Sequence, residues 1–233
     1  MKKRGSHVSV IISFILFLIF ITFTYTILMP AITKSHEKMI VKEIEEKIIN
    51  RTSANLTSAT IKITIDPSKN CIKIPYIEST HSSNTIIKNK NSSIIPSDDD
   101  GSGYFQIRWP NPDILKYYYS SEDFEQIHNG DLVDCQTLIK GTDYSIGFET
   151  EGAYVFETKF IDLLINDYGI FKENVKSSVG EDFDIGFIYS NGTKITSSEK
   201  NISTNVYIKE IPIKYVNRKA DINSGFMEII TWG

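Results

Sequence analysis

Hydrophobic and polar positions divide the chain into three regimes. From Val8 to Ile32 the run VSVIISFILFLIFITFTYTILMPAI carries no charged side chain over 25 residues. At a rise of about 1.5 Å per residue it is longer than the roughly 30 Å of hydrocarbon in a bilayer. A cleavable secretory signal has a shorter apolar stretch, about 7 to 15 residues, ending in small residues. This run ends in Met29-Pro30-Ala31 and predicts an uncleaved transmembrane helix over 8–32. From Ser35 to Asn50 the apolar residues Ile40, Val41, Ile44, Ile48 and Ile49 recur at helical spacing with Glu and Lys between them. That stripe, with Glu43 and Lys47 one turn apart, predicts a helical stalk over 33–50. It continues the membrane helix, with a kink near Pro30, and its apolar stripe can dock on the chain's own β-domain or on another subunit.

From Thr60 the period falls to two and β-branched residues dominate, as in Thr60–Ile65 and Cys71–Pro75, which predicts strands. Tyr104–Trp109, Val206–Ile213, Lys214–Val216 and Phe226–Trp232 read likewise, and Leu132–Ile139 reads as mixed. The polar stretch Glu78–Gly103 predicts a long surface loop with at most a brief edge strand. Ser120–His128, opened by Ser-Ser-Glu-Asp, predicts a short helix. Lys159–Lys176 predicts an amphipathic helix presenting Phe160, Leu163, Leu164, Tyr168, Phe171 and Val175 on one face. Two similar hexapeptides, Asp143–Phe148 and Asp182–Phe187, each precede a glycine and read as first strands of hairpins, with Asn191-Gly192 a strong turn signal. The fold class expected is α+β: a transmembrane helix and stalk, then a β-rich antiparallel domain over 51–233 with one amphipathic helix packed on it.

Composition changes this picture in two places. The 233 residues carry a net charge of -4, with 25 cations and 29 anions. Setting aside the leader's Lys2, Lys3 and Arg4 leaves 22 cations against 29 anions, so the remainder carries -7. An acidic body with its densest basic cluster at a membrane boundary argues against nucleic acid as a partner. Those cations precede the span, while Lys34 and Lys38 after it are offset by Glu37, so residues 1–7 are expected on the cytoplasmic side and the β-rich domain outside. Asn50, Asn55, Asn91, Asn191 and Asn201 each begin an N-x-[ST] sequon, which marks them as glycosylation candidates in an outside compartment. Chance alone supplies several in a chain so rich in Asn, Ser and Thr. The cysteines are Cys71 and Cys135. They are either bridged, which an oxidising compartment would preserve, or two buried thiols.

The first residues, Met-Lys-Lys-Arg-Gly5-Ser6-His7-Val8, form a short basic leader ending in Gly and running into the apolar helix. This resembles the class III signal peptide of archaeal type IV pilin-like and pseudopilin-like proteins. The resemblance implies cleavage after Gly5, a mature chain starting at Ser6, and packing with other subunits through the retained helix. Val10 stands where many such pilins carry a Glu.

Candidate chemistry is sparse. His7, His36, His81 and His128 have no metal-ligand spacing. No nucleophile elbow, zinc-protease, P-loop or dinucleotide fingerprint occurs. Asp98-Asp99-Asp100-Gly101 lacks the alternate-position carboxylates of a calcium loop and reads as a solvated turn. Glu149 with Glu151, and Glu181 with Asp182 and Asp184, read as solvated carboxylates beside turns and a helix end. Tyr117-Tyr118-Tyr119 cannot all face one core, and is either a candidate contact patch for a partner or glycan or, as is commoner, the filling of a satellite cluster under its own loop. No catalytic residue, metal or cofactor is expected. Expected instead is a single-pass cell-surface protein, either a pilin-like subunit of a filament or secretion-type assembly or a stand-alone anchored binding or adhesion module.

Overall fold

The structure, a computed structural model, describes residues 6–77, 84–109, 113–125, 127, 132–197 and 206–232, with the side chains of 6–8 and 28–36 outside that set. One helix, α1 (Ser6–Thr52), runs for 47 residues, roughly 70 Å at 1.5 Å each, and Pro30 does not end it. The Ser9–Ile27 segment is long and apolar enough to cross a membrane, and none of it is buried. Past it the stripe at Ile40, Val41, Ile44 and Ile48 is buried against the rest of the chain, with Ile49 beside it. Glu43 and Lys47 pair at 3.1 Å along the flank. Thr52 closes the helix, its buried hydroxyl donating to the Ile48 carbonyl at 2.8 Å.

No loop separates α1 from β1 (Ser53–Ile63). The remaining strands are β2 (Cys71–Pro75), β3 (Thr85–Asn89), β4 (Ile94–Ile95), β5 (Ser97–Asp99), β6 (Tyr104–Arg108), β7 (Ile114–Ser120), β8 (Gln136–Thr137), β9 (Tyr144–Phe156), β10 (Asp182–Ile188), β11 (Lys194–Thr196), β12 (Val206–Val216) and β13 (Ile222–Trp232). Between β9 and β10 lie α2 (Glu157–Asp162), a π-helical turn (Leu163–Asp167) and α3 (Tyr168–Val179), stopped by Gly180 in the left-handed conformation that favours glycine. The class is α+β. A nine-stranded sheet has the order β11-β10-β13-β12-β9-β1-β7-β3-β4, and a four-stranded sheet the order β5-β6-β2-β8.

Two halves of the large sheet meet at one parallel contact, where Tyr215 and Val216 of β12 face Val155 and Phe156 of β9. Over the β10–β13 half lie the stripe of α1 and the apolar face of α2–α3, with Phe160, Leu163, Leu164 and Val175 buried and Tyr168 and Phe171 packed beside them. Over the other half lies the small sheet, enclosing Ile61, Ile72, Ile74, Phe105, Ile107 and Leu115. A third cluster, Leu56, Ile86, Phe124, Phe156, Val216 and Ala220, includes residues from β9 and β12 at their junction.

Several expectations need correction. The stretch expected as a loop over Glu78–Gly103 contains β3, β4 and β5, with 78–83 outside the described residues. Thr85, Ile86, Ile87 and Lys88 are all buried because β3 lies between β7 and β4 with clusters on both faces. The Lys88 amine meets Asp221 at 2.6 Å and sits 5.1 Å from the centre of the Tyr118 ring, partners that local sequence does not reveal. No helix forms over the described part of Ser120–His128. The Ser120 hydroxyl does accept the Glu122 N–H, but Glu125 N–H donates to the Arg218 carbonyl at 2.7 Å and holds the chain against the β12–β13 turn. The first hexapeptide does not begin a hairpin. β9 runs 13 residues through Gly152, paired with β1, and the Tyr154 ring lies 2.9 Å from where a Gly152 side chain would start. The second does begin one, turned by Asn191 and Gly192 with Gly192 at φ +83°.

Ile44 is fully buried while Met39, five residues earlier on another face, is 65% exposed. Ile44→Ala should cost about 2 to 5 kcal/mol, and Met39→Ala no more than about 0.5 kcal/mol. Urea unfolding of the full chain in detergent, followed by Trp109 and Trp232 fluorescence, measures both.

Candidate functional site

Two stretches of one helix face different surroundings. Along Ser9–Ile27 large apolar side chains project on every side, with Phe14, Phe20 and Phe23 each at least 60% exposed. Its three threonines are satisfied within the helix: Thr22, Thr24 and Thr26 donate to the carbonyls of Leu18, Phe20 and Phe23 at 2.7 to 2.9 Å. A hydroxyl satisfied within its own helix carries little penalty in an apolar medium. Gly5 lies outside the described residues, and Ser6 begins α1.

At its other end α1 is fixed by polar contacts as well as by its stripe. Arg51 pairs with Asp167 in the π turn, Lys47 meets Ser178 of α3, and Glu45 pairs with Lys209 of β12 at 3.7 Å. The carboxylates expected to be solvated near 181–184 belong to this assembly. Asp184 is buried, accepting from the Tyr168 hydroxyl at 2.6 Å and from Lys172 at 3.2 Å. Asp182 pairs with Lys172 at 2.7 Å and Lys176 at 2.9 Å, and the Lys172 amine sits 4.9 Å from the Trp232 ring. Burial raises the Asp182 pKa, but the two lysines outweigh it and bring it down to about 2. Burial, reinforced by Asp184, pushes the Tyr168 phenol upward, so it stays a donor. The spacing of Tyr168 and Lys172 on one face was visible in the sequence; their partnership with β10 was not.

Of the run Asp98–Asp100, Asp98 and Asp99 are exposed at the end of β5, and Asp100 is drawn in at the turn that follows. Asp99 accepts from Gly101 N–H and from the Tyr76 hydroxyl. Asp100, only 6% exposed at its side chain, accepts from Ser102 and Tyr104 N–H and pairs with Lys73 at 3.1 Å. Burial alone would raise its pKa, yet these donors lower it to about 2. Glu149 and Glu151 are exposed on β9, and Glu151 accepts from the Asn55 side chain at 2.7 Å.

The tyrosine run does not form an exposed patch. All three residues lie on β7, where side chains alternate: Tyr117 and Tyr119 join the core under the small sheet, and Tyr118 joins the third cluster. Cys71 and Cys135 form a disulfide, with 4.5 Å between their Cα atoms, beside the parallel contact of β2 with β8. His81, His128 and Asn201 lie outside the described residues, as do the side chains of His7 and His36. Among the described residues no group of three or more His, Cys, Asp or Glu is placed to hold a metal.

An open groove of about 800 Å³ lies between residues 122–125 and the segment of α2 and the π turn, lined by Glu122, Asp123, Glu125, Asp162, Lys159 and Arg218 among others. Lys159 is engaged with the Ser53 carbonyl at 3.2 Å and Glu122 at 3.3 Å, and the Thr158 hydroxyl has no hydrogen-bond partner among the described residues. Such a surface can bind polar groups. No family model matches the chain, and neither a curated protein nor a solved structure does so.

Both carboxylates held near pKa 2 start from about 3.9 in an unfolded chain. Their contribution is fully present above about pH 4 and is lost as pH falls from about 4 towards about 2. Asp182→Asn and Asp100→Asn should each lower Tm at pH 5. Each should also shrink the further drop in Tm between pH 5 and pH 2.5 relative to the unsubstituted chain, as measured by thermal unfolding.

Proposed function

We propose that this chain is a non-enzymatic cell-surface protein, crossing the membrane once through α1 and holding residues 51–233 outside, as a pilin-like subunit of a filament or secretion-type assembly. The observation that carries this reading is the division of α1. An apolar segment with no protein cover continues into a stretch buried in the chain's own sheet. Exposed apolar area of this kind is stable only in lipid or against other helices. The cations at Lys2, Lys3 and Arg4 favour a cytoplasmic N-terminus. The Gly5-Ser6 junction fits removal of the leader at the membrane surface, which would leave the apolar helix intact for contact with like helices. The partners are therefore the bilayer and other pilin-like subunits, engaged through α1.

A stand-alone anchored binding module is the second reading, favoured by the open groove beside α2. Lysine-reactive crosslinking in native membranes separates the two. A subunit should give ladders of the chain with itself or with similar small proteins, through peptides of the first 50 residues, and a stand-alone module should stay monomeric. Intact-mass measurement of the membrane-extracted chain should give a mass beginning at Ser6; a mass beginning at Met1 would remove the processing step from the reading.

A further inference from the structure

Four of the sequons fall on described residues, and the structure splits them into two kinds. In the Asn50 sequon the hydroxyl residue is Thr52, fully buried, its hydroxyl committed to the Ile48 carbonyl. In the Asn55 sequon it is Thr57, 6% exposed in β1 between β7 and β9, and the Asn55 amide already donates to Glu151. The other two are different. Asn91 and Ser93 are both exposed in the turn joining β3 to β4, and Asn191 and Thr193 are both exposed in the turn joining β10 to β11.

Each of these turns is held without using the amide nitrogen that a sugar would occupy. In the first, Asn89 Oδ1 accepts from the N–H groups of Asn91 and Ser93, and Asn89 N–H donates to the Ser93 carbonyl. In the second, Asn191 Oδ1 accepts from Thr193 N–H at 2.9 Å, while Tyr189 N–H donates to the Thr193 carbonyl. β4 and β11 are also the outermost strands at the two ends of the nine-stranded sheet. An open sheet edge is a template for pairing with another chain, and native proteins shield such edges.

We infer that Asn91 and Asn191 are N-glycosylated and that Asn50 and Asn55 are not, so that one bulky, hydrated glycan stands at each end of the large sheet. In the transfer, Asn Nδ2 forms a bond to the anomeric carbon of a lipid-phosphate-linked oligosaccharide. The bond from that carbon to the phosphate oxygen breaks, the lipid phosphate leaves with the electron pair, and the amide gives up one proton to a base of the transferase. The acceptor must present both its amide and the hydroxyl two residues on, which only the two hairpin turns do among the described sequons. The inference rests on residues 51–233 lying outside the membrane, as proposed above.

The chain isolated from its native membranes would be digested and its glycopeptides mapped, beside the variants N55Q, N91Q and N191Q. In parallel, intact cells would be treated with a membrane-impermeant amine reagent and modification read at the exposed Lys62 and Lys214. Modified lysines with glycan on Asn91 and Asn191, bare Asn50 and Asn55, and a loss of one glycan mass in N91Q and N191Q but none in N55Q, is the expected result. Modified lysines with bare Asn91 and Asn191 overturn the glycan inference and leave the outward placement standing. Glycan on Asn50 or Asn55 overturns the selection by buried hydroxyl. Unmodified lysines with no glycan overturn the placement and the inference together.

Discussion

Ile40, Val41, Ile44 and Ile48 bury one stripe of α1 against α2, α3, β13 and β9, and the remainder of the domain is organised from that contact. Each such side chain is worth about 1.5 to 3 kcal/mol when fully removed from water. Because α1 passes into β1 without a loop, seating the helix also sets where β1 begins, beside Val155 of β9. Among the described residues the backbone of the two halves of the large sheet is paired at that point through two residue pairs. The cluster under α1 includes Val155 on one side of the junction and Tyr215 on the other, so the helix clamps a joint that backbone pairing alone would leave weak.

Polar contacts then fix the orientation of what the apolar stripe holds. Arg51 with Asp167 and Glu45 with Lys209 tie α1 to a second helix and to β12, but exposed pairs of this kind are worth little on their own. The buried carboxylate of Asp184 has more consequence, because it requires Tyr168 and Lys172 to stay in place. Removing Lys172 takes a cation from beside a buried carboxylate, which is costlier than losing a surface pair. The helices over this half of the sheet are thus held in position by chemistry as well as by packing.

Much of this architecture was legible in the sequence where one period dominates. The stripe from Ile40 to Ile48, the face from Phe160 to Val175 and the strand at Cys71–Pro75 follow from spacing, because each buries one face against a single layer. The pattern failed where both faces are covered or where a partner is distant. Thr85 to Lys88 reads as polar loop because its lysine is paid for by Asp221, far along the chain. Ser120 offers a real capping hydroxyl, yet a long-range bond from Glu125 to Arg218 decides the backbone. Tyr117 to Tyr119 look surplus to one core because they serve two. Of the candidate site residues, the sequons were visible as motifs, but only the burial of Thr52 and Thr57 distinguishes one kind from the other.

The proposed placement divides one helix between two surroundings, lipid along its apolar segment and the chain's own sheet along its stripe. A photoreactive carbene precursor confined to the bilayer core, activated in native membranes, reads that division directly by peptide mapping. The account predicts label within Ser9–Ile27 and none on Ile40 to Ile48. Label absent from Ser9–Ile27, or present equally on both stretches, would contradict it.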